Sequence, residues 1–136
     1  MKPKIVSHRE LEVWKRAFDS SMRIFELSRK FPVEERYSLT DQVRRSSRSV
    51  TTSITEAWWK RRYEAAFVVK LNDAEGEAAE TQDWLHYAVK CGYIEPQPAR
   101  ELYKEYDRIL RTLVGMITHA DTWCFPETPR AARQRQ

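Results

Sequence analysis

Residues 67–92 read FVVKLNDAEGEAAETQDWLHYAVKCG, and their pattern is the clearest indication of the fold. The small and apolar residues recur in alternating steps of four and three, which is the spacing of one face of an α-helix. Gly92 follows Cys91, at the position where a glycine in the left-handed conformation commonly ends a helix. We therefore predict a long amphipathic helix that ends near Cys91. The predicted inward face comprises Phe67, Leu71, Ala74, Ala78, Thr81, Leu85 and Ala88.

Three further segments show the same period. The first runs from about Arg9 to Lys30 and stops before Pro32, because the residue preceding a proline avoids helical angles. The second begins near Glu35, and the last follows the prolines at 96 and 98. Their predicted inward faces are Leu11, Trp14, Phe18, Met22 and Phe25; then Leu39, Val43, Ser47, Val50, Ile54 and Trp58; then Ala99, Leu102, Tyr106, Ile109, Leu113, Met116 and Ala120.

The second and third segments have no proline or glycine at their junction. One continuous helix from Glu35 to Lys90 would be roughly 80 Å long, too long for a small domain. The chain must therefore reverse, and we place the reversal around residues 59–63. Four amphipathic helices with short connections predict an all-α protein, an antiparallel up-down-up-down four-helix bundle.

Length and composition limit the other possibilities. The chain has 136 residues, which allows one domain, and we assign residues 1–121 to the bundle. Residues 122–136 contain prolines and arginines without a helical period, so we predict a flexible basic C-terminal tail. There is no apolar run long enough for a membrane span and no signal-peptide pattern, and the two cysteines are too few for a disulfide framework. These features predict a cytoplasmic protein.

Catalytic motifs are scarce. Asp83 and His86, with Glu80 one turn earlier, give half of a di-iron motif, and a helix surface in water is the commoner explanation of such spacing. Cys91 lacks a recognisable histidine partner, and we expect it to be a small buried side chain. The three glycines are too far apart for a phosphate-binding loop. We predict a protein that is not an enzyme, with no catalytic residues, cofactor or metal.

Positive charge is concentrated in one part of the chain. Overall there are 24 Lys and Arg against 20 Asp and Glu, a net charge of +4. Residues 44–62 contain six basic residues and one acidic residue, Glu56, whereas the next segment is acidic. This strip is our candidate nucleic-acid site, with affinity expected to fall as salt rises. The candidate residues are Arg44, Arg45, Arg48, Trp59, Lys60, Arg61 and Arg62.

Two alternatives to this site stay open. The arginines at 44, 45 and 48 could instead pair with acidic residues of the next helix, namely Glu75, Glu77 or Glu80. Trp59 lies about 100° round the helix from Trp58, outside the apolar face. It could stack on a base beside the neighbouring cations, lie in a subunit interface, or be a lone surface side chain.

The order of several motifs resembles the "four helix bundle protein" family, small bacterial proteins encoded in intervening sequences of 23S ribosomal RNA genes and often labelled S23 ribosomal proteins. The resemblance extends from about Arg9 to Ala120. One departure is that Val50–Ala57 reads VTTSITEA where the family usually reads Ile-Pro-Ser-Asn-Ile-Ala-Glu-Gly. The matching motifs are Arg9–Ala17, Phe31-Pro32, Tyr37–Arg45, Ser49-Val50, Ile54, Glu56, Leu71-Asn72, Ala74, Glu80–Gln82 and Gly92-Tyr93.

The resemblance implies a left-handed bundle that assembles into a ring-like homopentamer, and no established catalytic activity. The fold is also similar to accessory proteins of diversity-generating retroelements, which bind nucleic acid and a reverse transcriptase. Five tryptophans and six tyrosines are difficult to bury in one small bundle, which favours self-association, although a monomer filled by these rings is the alternative. Two functions remain: an accessory protein for structured RNA or a ribonucleoprotein, and a scaffold that binds only protein.

Overall fold

The structure is a computed structural model that describes residues 5–126. Within this range the secondary structure is helical, with no strand, so the predicted all-α class is confirmed. No helix in the described range is long and apolar enough to cross a bilayer. The helices are α1 (Glu12–Ser28), α2 (Asp41–Trp58), α3 (Glu64–Lys90), α4 (Pro96–Thr118) and the short α5 (Ala120–Trp123).

The connections follow from local sequence signals. Pro32 has extended backbone angles and separates α1 from a 3₁₀ turn at Val33–Glu35. A π-helical turn, Arg36–Thr40, then leads directly into α2. Helix α2 ends at Trp58 and α3 begins at Glu64, so the helix is interrupted where the sequence predicted a break. Gly92 has a φ of +78°, the left-handed conformation that ends α3 at low steric cost.

Each long helix packs against two others. Helix α1 contacts α2 and α4, and α3 contacts the same two helices from the other side. The core lies between these four helices. Its largest fully buried side chains include Tyr106, Phe67, Ile24, Ile54 and Leu71. Every residue of the predicted inward faces of the second, third and fourth segments is buried.

The predicted inward face of the first segment is wrong beyond Leu11. Phe18 and Met22 are 43% and 46% exposed, and Trp14 and Phe25 are only partly buried. The face that packs on α2 and α4 is instead rich in small residues, because these allow close approach of the neighbouring helices. The buried residues of α1 are Val13, Ala17, Ser20, Ser21, Ile24 and Ser28.

The chain remains in contact with the helices after residue 121. Helix α5 ends at Trp123, and the side chains of Trp123 and Cys124 pack against the core. The backbone N–H of Phe125 donates to the carbonyl oxygen of Arg61, with an N···O distance of 3.0 Å. Most of the tail predicted for 122–136, from residue 127 onwards, lies outside the described residues.

A candidate nucleic-acid interface

An open groove runs along the π-helical turn and the first half of α2. Its volume is about 670 Å³. The groove holds four arginines and a single carboxylate, that of Asp41, so its charge is strongly positive. The lining residues are Arg36, Tyr37, Thr40, Asp41, Arg44, Arg45, Arg48, Ser49 and Thr52, and we call this the arginine groove.

Contacts with α1 fix the position of Arg44. Its Nε donates to Ser28 Oγ at 2.8 Å, and its guanidinium lies 4.8 Å from the centroid of the Phe25 ring. The guanidinium of Arg48 lies 6.0 Å from the same ring. Neutral partners orient both side chains without cancelling their charge, so both remain able to contact an anion.

Arg45 has an acidic neighbour but stays accessible. Its Nη2 lies 2.9 Å from Asp41 Oδ2, one helical turn earlier. The Arg45 side chain is 66% exposed, and surface pairs of this kind contribute little energy, so a phosphate could compete with Asp41.

The groove arginines of α2 do not form the alternative ion pairs with acidic residues of α3. Within residues 5–126, no ion pair joins Arg44, Arg45 or Arg48 to Glu75, Glu77 or Glu80. An ion pair between α2 and α3 is formed by Glu56 and Lys70, with 2.8 Å between Glu56 Oε2 and Lys70 Nζ.

The second half of the predicted strip lies at the other end of α2. Lys60 is roughly 18 Å along the helix from Arg48, so the candidate residues form two separate groups. Trp59 is 71% exposed, and Lys60 and Arg62 are also exposed. Arg61 is partly buried, and its guanidinium lies against the rings of Trp58 and Phe125.

Sequence reasoning missed six of the nine residues that line the groove, and two of these, Arg36 and Tyr37, add a guanidinium group and an aromatic ring. Both lie in the π-helical turn before α2. Tyr37 is 85% exposed, and the Arg36 guanidinium lies 6.0 Å from its ring centroid. The sequence did carry a signal, because residues 37, 41, 44 and 48 follow steps of four and three.

Tyr37 also borders a second, smaller pocket between the start of α2 and the end of α3. The volume of this pocket is about 410 Å³. Cys91 lies at the pocket and is exposed, which contradicts the expectation that it is buried. The lining residues are Glu35, Tyr37, Ser38, Leu39, Gln42, Trp84, Tyr87 and Cys91, and we call this the aromatic pocket.

Glu35 is the anionic group of the aromatic pocket. Its Oε1 accepts a hydrogen bond from Ser38 at 2.5 Å, and its Oε2 accepts one from the Tyr93 hydroxyl at 3.0 Å. These hydrogen bonds lower the pKa of the Glu35 carboxyl. The hydrogen bond between Tyr93 and Glu35 also raises the pKa of Tyr93 to about 12. Glu35 is therefore a fixed hydrogen-bond acceptor near neutral pH.

The residues considered for metal binding do not gather into a site. Among residues 5–126, no group of three or more His, Cys, Asp or Glu side chains could hold a metal ion. His86 instead borders a small pocket formed with α4 residues, including Ala99 and Tyr103.

Comparison with solved structures agrees with the fold. The chain is similar to a protein of unknown function from the S23 ribosomal protein family of Bacteroides thetaiotaomicron VPI-5482, with a TM-score of 0.70 and 27% sequence identity. The alignment covers 78% of this chain and 95% of that one. No curated protein matches the chain.

The sequence comparison gives the family directly. The model described as 23S rRNA-intervening sequence protein matches residues 9–115. The chain therefore belongs to this family, and the resemblance inferred from its motifs is confirmed.

Proposed function

We propose that this protein is a non-catalytic accessory factor that binds structured RNA, alone or in a ribonucleoprotein. The observation that carries the proposal is the arginine groove, where four guanidinium groups face one carboxylate. Arginine forms strong bidentate contacts with phosphate, and the neutral partners Ser28 and Phe25 leave the charge of Arg44 available. The basic turn at residues 59–62 would contact the same RNA farther along.

We also propose that the four long helices form an antiparallel, up-down-up-down, left-handed bundle. Polar pairs support opposite directions for neighbouring helices. For α1 and α2 the pairs are Trp14–Thr55 and Ser28–Arg44, and for α2 and α3 they are Ser46–Thr81 and Glu56–Lys70. For α1 and α4 they are Arg16–Glu105 and Arg23–Glu101. In each case the later residue of one helix meets the earlier residue of the other.

Self-assembly is the third part of the proposal. Helix α1 carries a row of large side chains on its outer side, and Phe18 and Met22 in this row are more than two-fifths exposed. Trp14 stacks on Phe18 with ring centroids 5.1 Å apart, which makes the row continuous. Because exposed apolar patches commonly mark interfaces, we propose that this row lies between copies in a homo-oligomer. The resemblance to the family implies that this oligomer is a ring of five.

RNA binding is tested by titrating a structured RNA hairpin at several salt concentrations. Phosphate contacts release counterions, so log affinity should fall linearly with log salt. Arg45→Ala and Arg48→Ala should each weaken binding and reduce the slope by about one. Arg111→Ala is a matched control, because Arg111 is an exposed arginine of α4 outside the groove. It should leave both affinity and slope unchanged.

The second basic group is tested separately. Lys60→Ala with Arg62→Ala should weaken binding and lower the salt slope, while the helix content stays the same. Trp59→Ala should weaken binding with little change of slope, because stacking releases no counterions. Absence of hairpin binding at low salt would favour the protein-only scaffold, which the exposed row on α1 supports.

A further inference from the structure

The aromatic pocket differs in chemistry from the arginine groove beside it. Trp84 and Tyr87 lie in its wall with ring centroids 5.7 Å apart, and Tyr87 is 59% exposed. The pocket therefore offers flat, partly accessible rings on α3. Glu35 contributes a carboxylate, and none of the groove arginines lines this pocket.

We propose that the aromatic pocket takes one unpaired nucleobase of the RNA strand whose phosphates lie along the arginine groove. This inference rests on the proposed function. It adds that the bound RNA must contain a nucleotide whose base is free to leave the helical stack. Proteins commonly read RNA at such positions, because an unstacked base can lie on aromatic side chains.

The arrangement of the two sites supports a single nucleotide that spans them. Tyr37 lines both the groove and the pocket. Asp41 and Gln42 are consecutive residues of α2, and one lines the groove while the other lines the pocket. A nucleotide has its phosphate and its base at opposite ends, so it can place one in each site across Tyr37.

The polar groups of the pocket fit a base better than a phosphate. The Glu35 carboxylate repels an anion but can accept a hydrogen bond from a base N–H group. Gln42 has an amide that both donates and accepts, and its side chain makes no hydrogen bond with residues 5–126. A base edge carries both donors and acceptors, so it can use both residues.

The test compares three RNA hairpins: one with a single bulged adenosine, one with an abasic residue at the bulge, and one fully paired. The abasic hairpin has the same charge as the bulged one, so only the base differs. Base–aromatic stacking of about 1–3 kcal/mol corresponds to an affinity difference of about 5-fold to 160-fold. We expect the bulged hairpin to bind more tightly than the abasic one by roughly this factor, with equal salt slopes.

Protein variants locate the effect. Tyr87→Ala should remove the preference for the bulged over the abasic hairpin and leave the salt slope unchanged. Tyr103→Ala is the matched control, because Tyr103 is a comparably exposed tyrosine (45%) on α4 outside the pocket. 2-Aminopurine at the bulge gives a second readout, since stacking in the pocket should quench its fluorescence in the parent and not in Tyr87→Ala.

The outcomes separate the two proposals. Equal affinity for the bulged and abasic hairpins, with a normal salt slope, would overturn the base pocket and leave RNA binding by the groove intact. Loss of the preference in Tyr103→Ala as well would also overturn it. Failure of all three hairpins to bind at low salt would overturn both proposals.

Discussion

The guanidinium of Arg61 lies 3.4 Å from the centroid of the Trp58 ring and 4.6 Å from that of Phe125. The Arg61 Nε also donates to the Trp58 carbonyl oxygen at 2.9 Å. Phe125, two residues after the end of α5, is thus held on the turn between α2 and α3 by stacking and by its backbone hydrogen bond to Arg61. This arrangement gives Arg61 a structural role that its basic neighbours lack.

We expect Phe125→Ala to lower the free energy of unfolding by about 1 kcal/mol, because it removes a stacking partner of a partly desolvated cation. Arg61→Lys should have a similar effect, since lysine lacks the planar group that stacks between two rings. Urea denaturation followed by circular dichroism measures both. Lys60→Ala is the control and should change stability by less than about 0.5 kcal/mol. An unchanged urea midpoint in Phe125→Ala would contradict a stabilising role for the contact between Arg61 and Phe125.

The sequence predicted α2, α3 and α4 well because their inward faces are both apolar and periodic. It predicted the helix α1 but failed for its inward face, because hydropathy identifies the large side chains and does not distinguish a core from an exposed surface. In α1 the small residues, such as Ala17 and Ser20, face the neighbouring helices, whereas Phe18 and Met22 face outward. Packing between helices decides this, and packing depends on the partners as well as on the segment.

The candidate site was predicted in part for a comparable reason. Arg44 and Arg48 are four residues apart, so their shared face follows from helical geometry alone. The spacing of Tyr37 from Asp41 and Arg44 indicated that Tyr37 shares their face, whereas the addition of Arg36 depends on the π-helical turn, which no local residue pattern indicated. The separate role of Arg61 depends on Phe125, which is 64 positions later in the chain.

The buried hydrogen bond between Thr81 Oγ1 and Ser46 Oγ, 2.8 Å long, joins α3 to α2. Each hydroxyl also lies within hydrogen-bond distance of a carbonyl oxygen of its own helix, and the two hydroxyl protons can serve two of these three contacts at a time. We expect Thr81→Val and Ser46→Ala each to cost about 1 kcal/mol. The double variant should cost less than the sum, because either single substitution already removes the bond between the helices. Strict additivity in chemical denaturation would mean that the bond does not couple the helices.

Hydrogen bonds to Glu35 make stability depend on pH at both ends of the range, because those from Ser38 and then Tyr93 lower the pKa of Glu35 and the Tyr93–Glu35 bond raises the pKa of Tyr93. The pKa of Glu35 is lowered from 4.5, so its contribution is present above pH 4.5 and is lost as the pH falls through the folded-state pKa. The pKa of Tyr93 is raised from 10.0 to about 12, so its contribution is present below pH 10 and is lost as the pH rises towards 12.

Tyr93→Phe removes the group that titrates in alkali and the smaller of the two side-chain hydrogen bonds that lower the pKa of Glu35, whereas the larger one, from Ser38, remains. The parent should therefore be more stable than Tyr93→Phe near neutral pH, and the difference should shrink in acid and above pH 10. Denaturation midpoints of the two proteins across pH give the measurement. Tyr103→Phe is the control, since Tyr103 is an exposed tyrosine outside this bond. A parent–variant difference that does not vary with pH would contradict the coupling.

The outer row of α1 gives the sharpest test of self-assembly. Phe18→Asp combined with Met22→Asp places two charges on the surface that we propose lies between copies, and desolvating a charge there is costly. The core residues of α1 are on the other face, so the fold should persist. Light scattering should give a multiple of 16.2 kDa for the parent and a mass near 16.2 kDa for the variant.

Val114→Asp is the matched control for this variant. Val114 is an apolar residue of α4 that is 50% exposed, comparable to Phe18 and Met22, and it lies on a different helix. If the α1 row is the interface, Val114→Asp keeps the parent mass, because a charge already in water needs no desolvation. A parent mass near 16.2 kDa would remove self-assembly from the proposed function. A multimer that survives Phe18→Asp with Met22→Asp and dissociates in Val114→Asp would move the interface from α1 to α4.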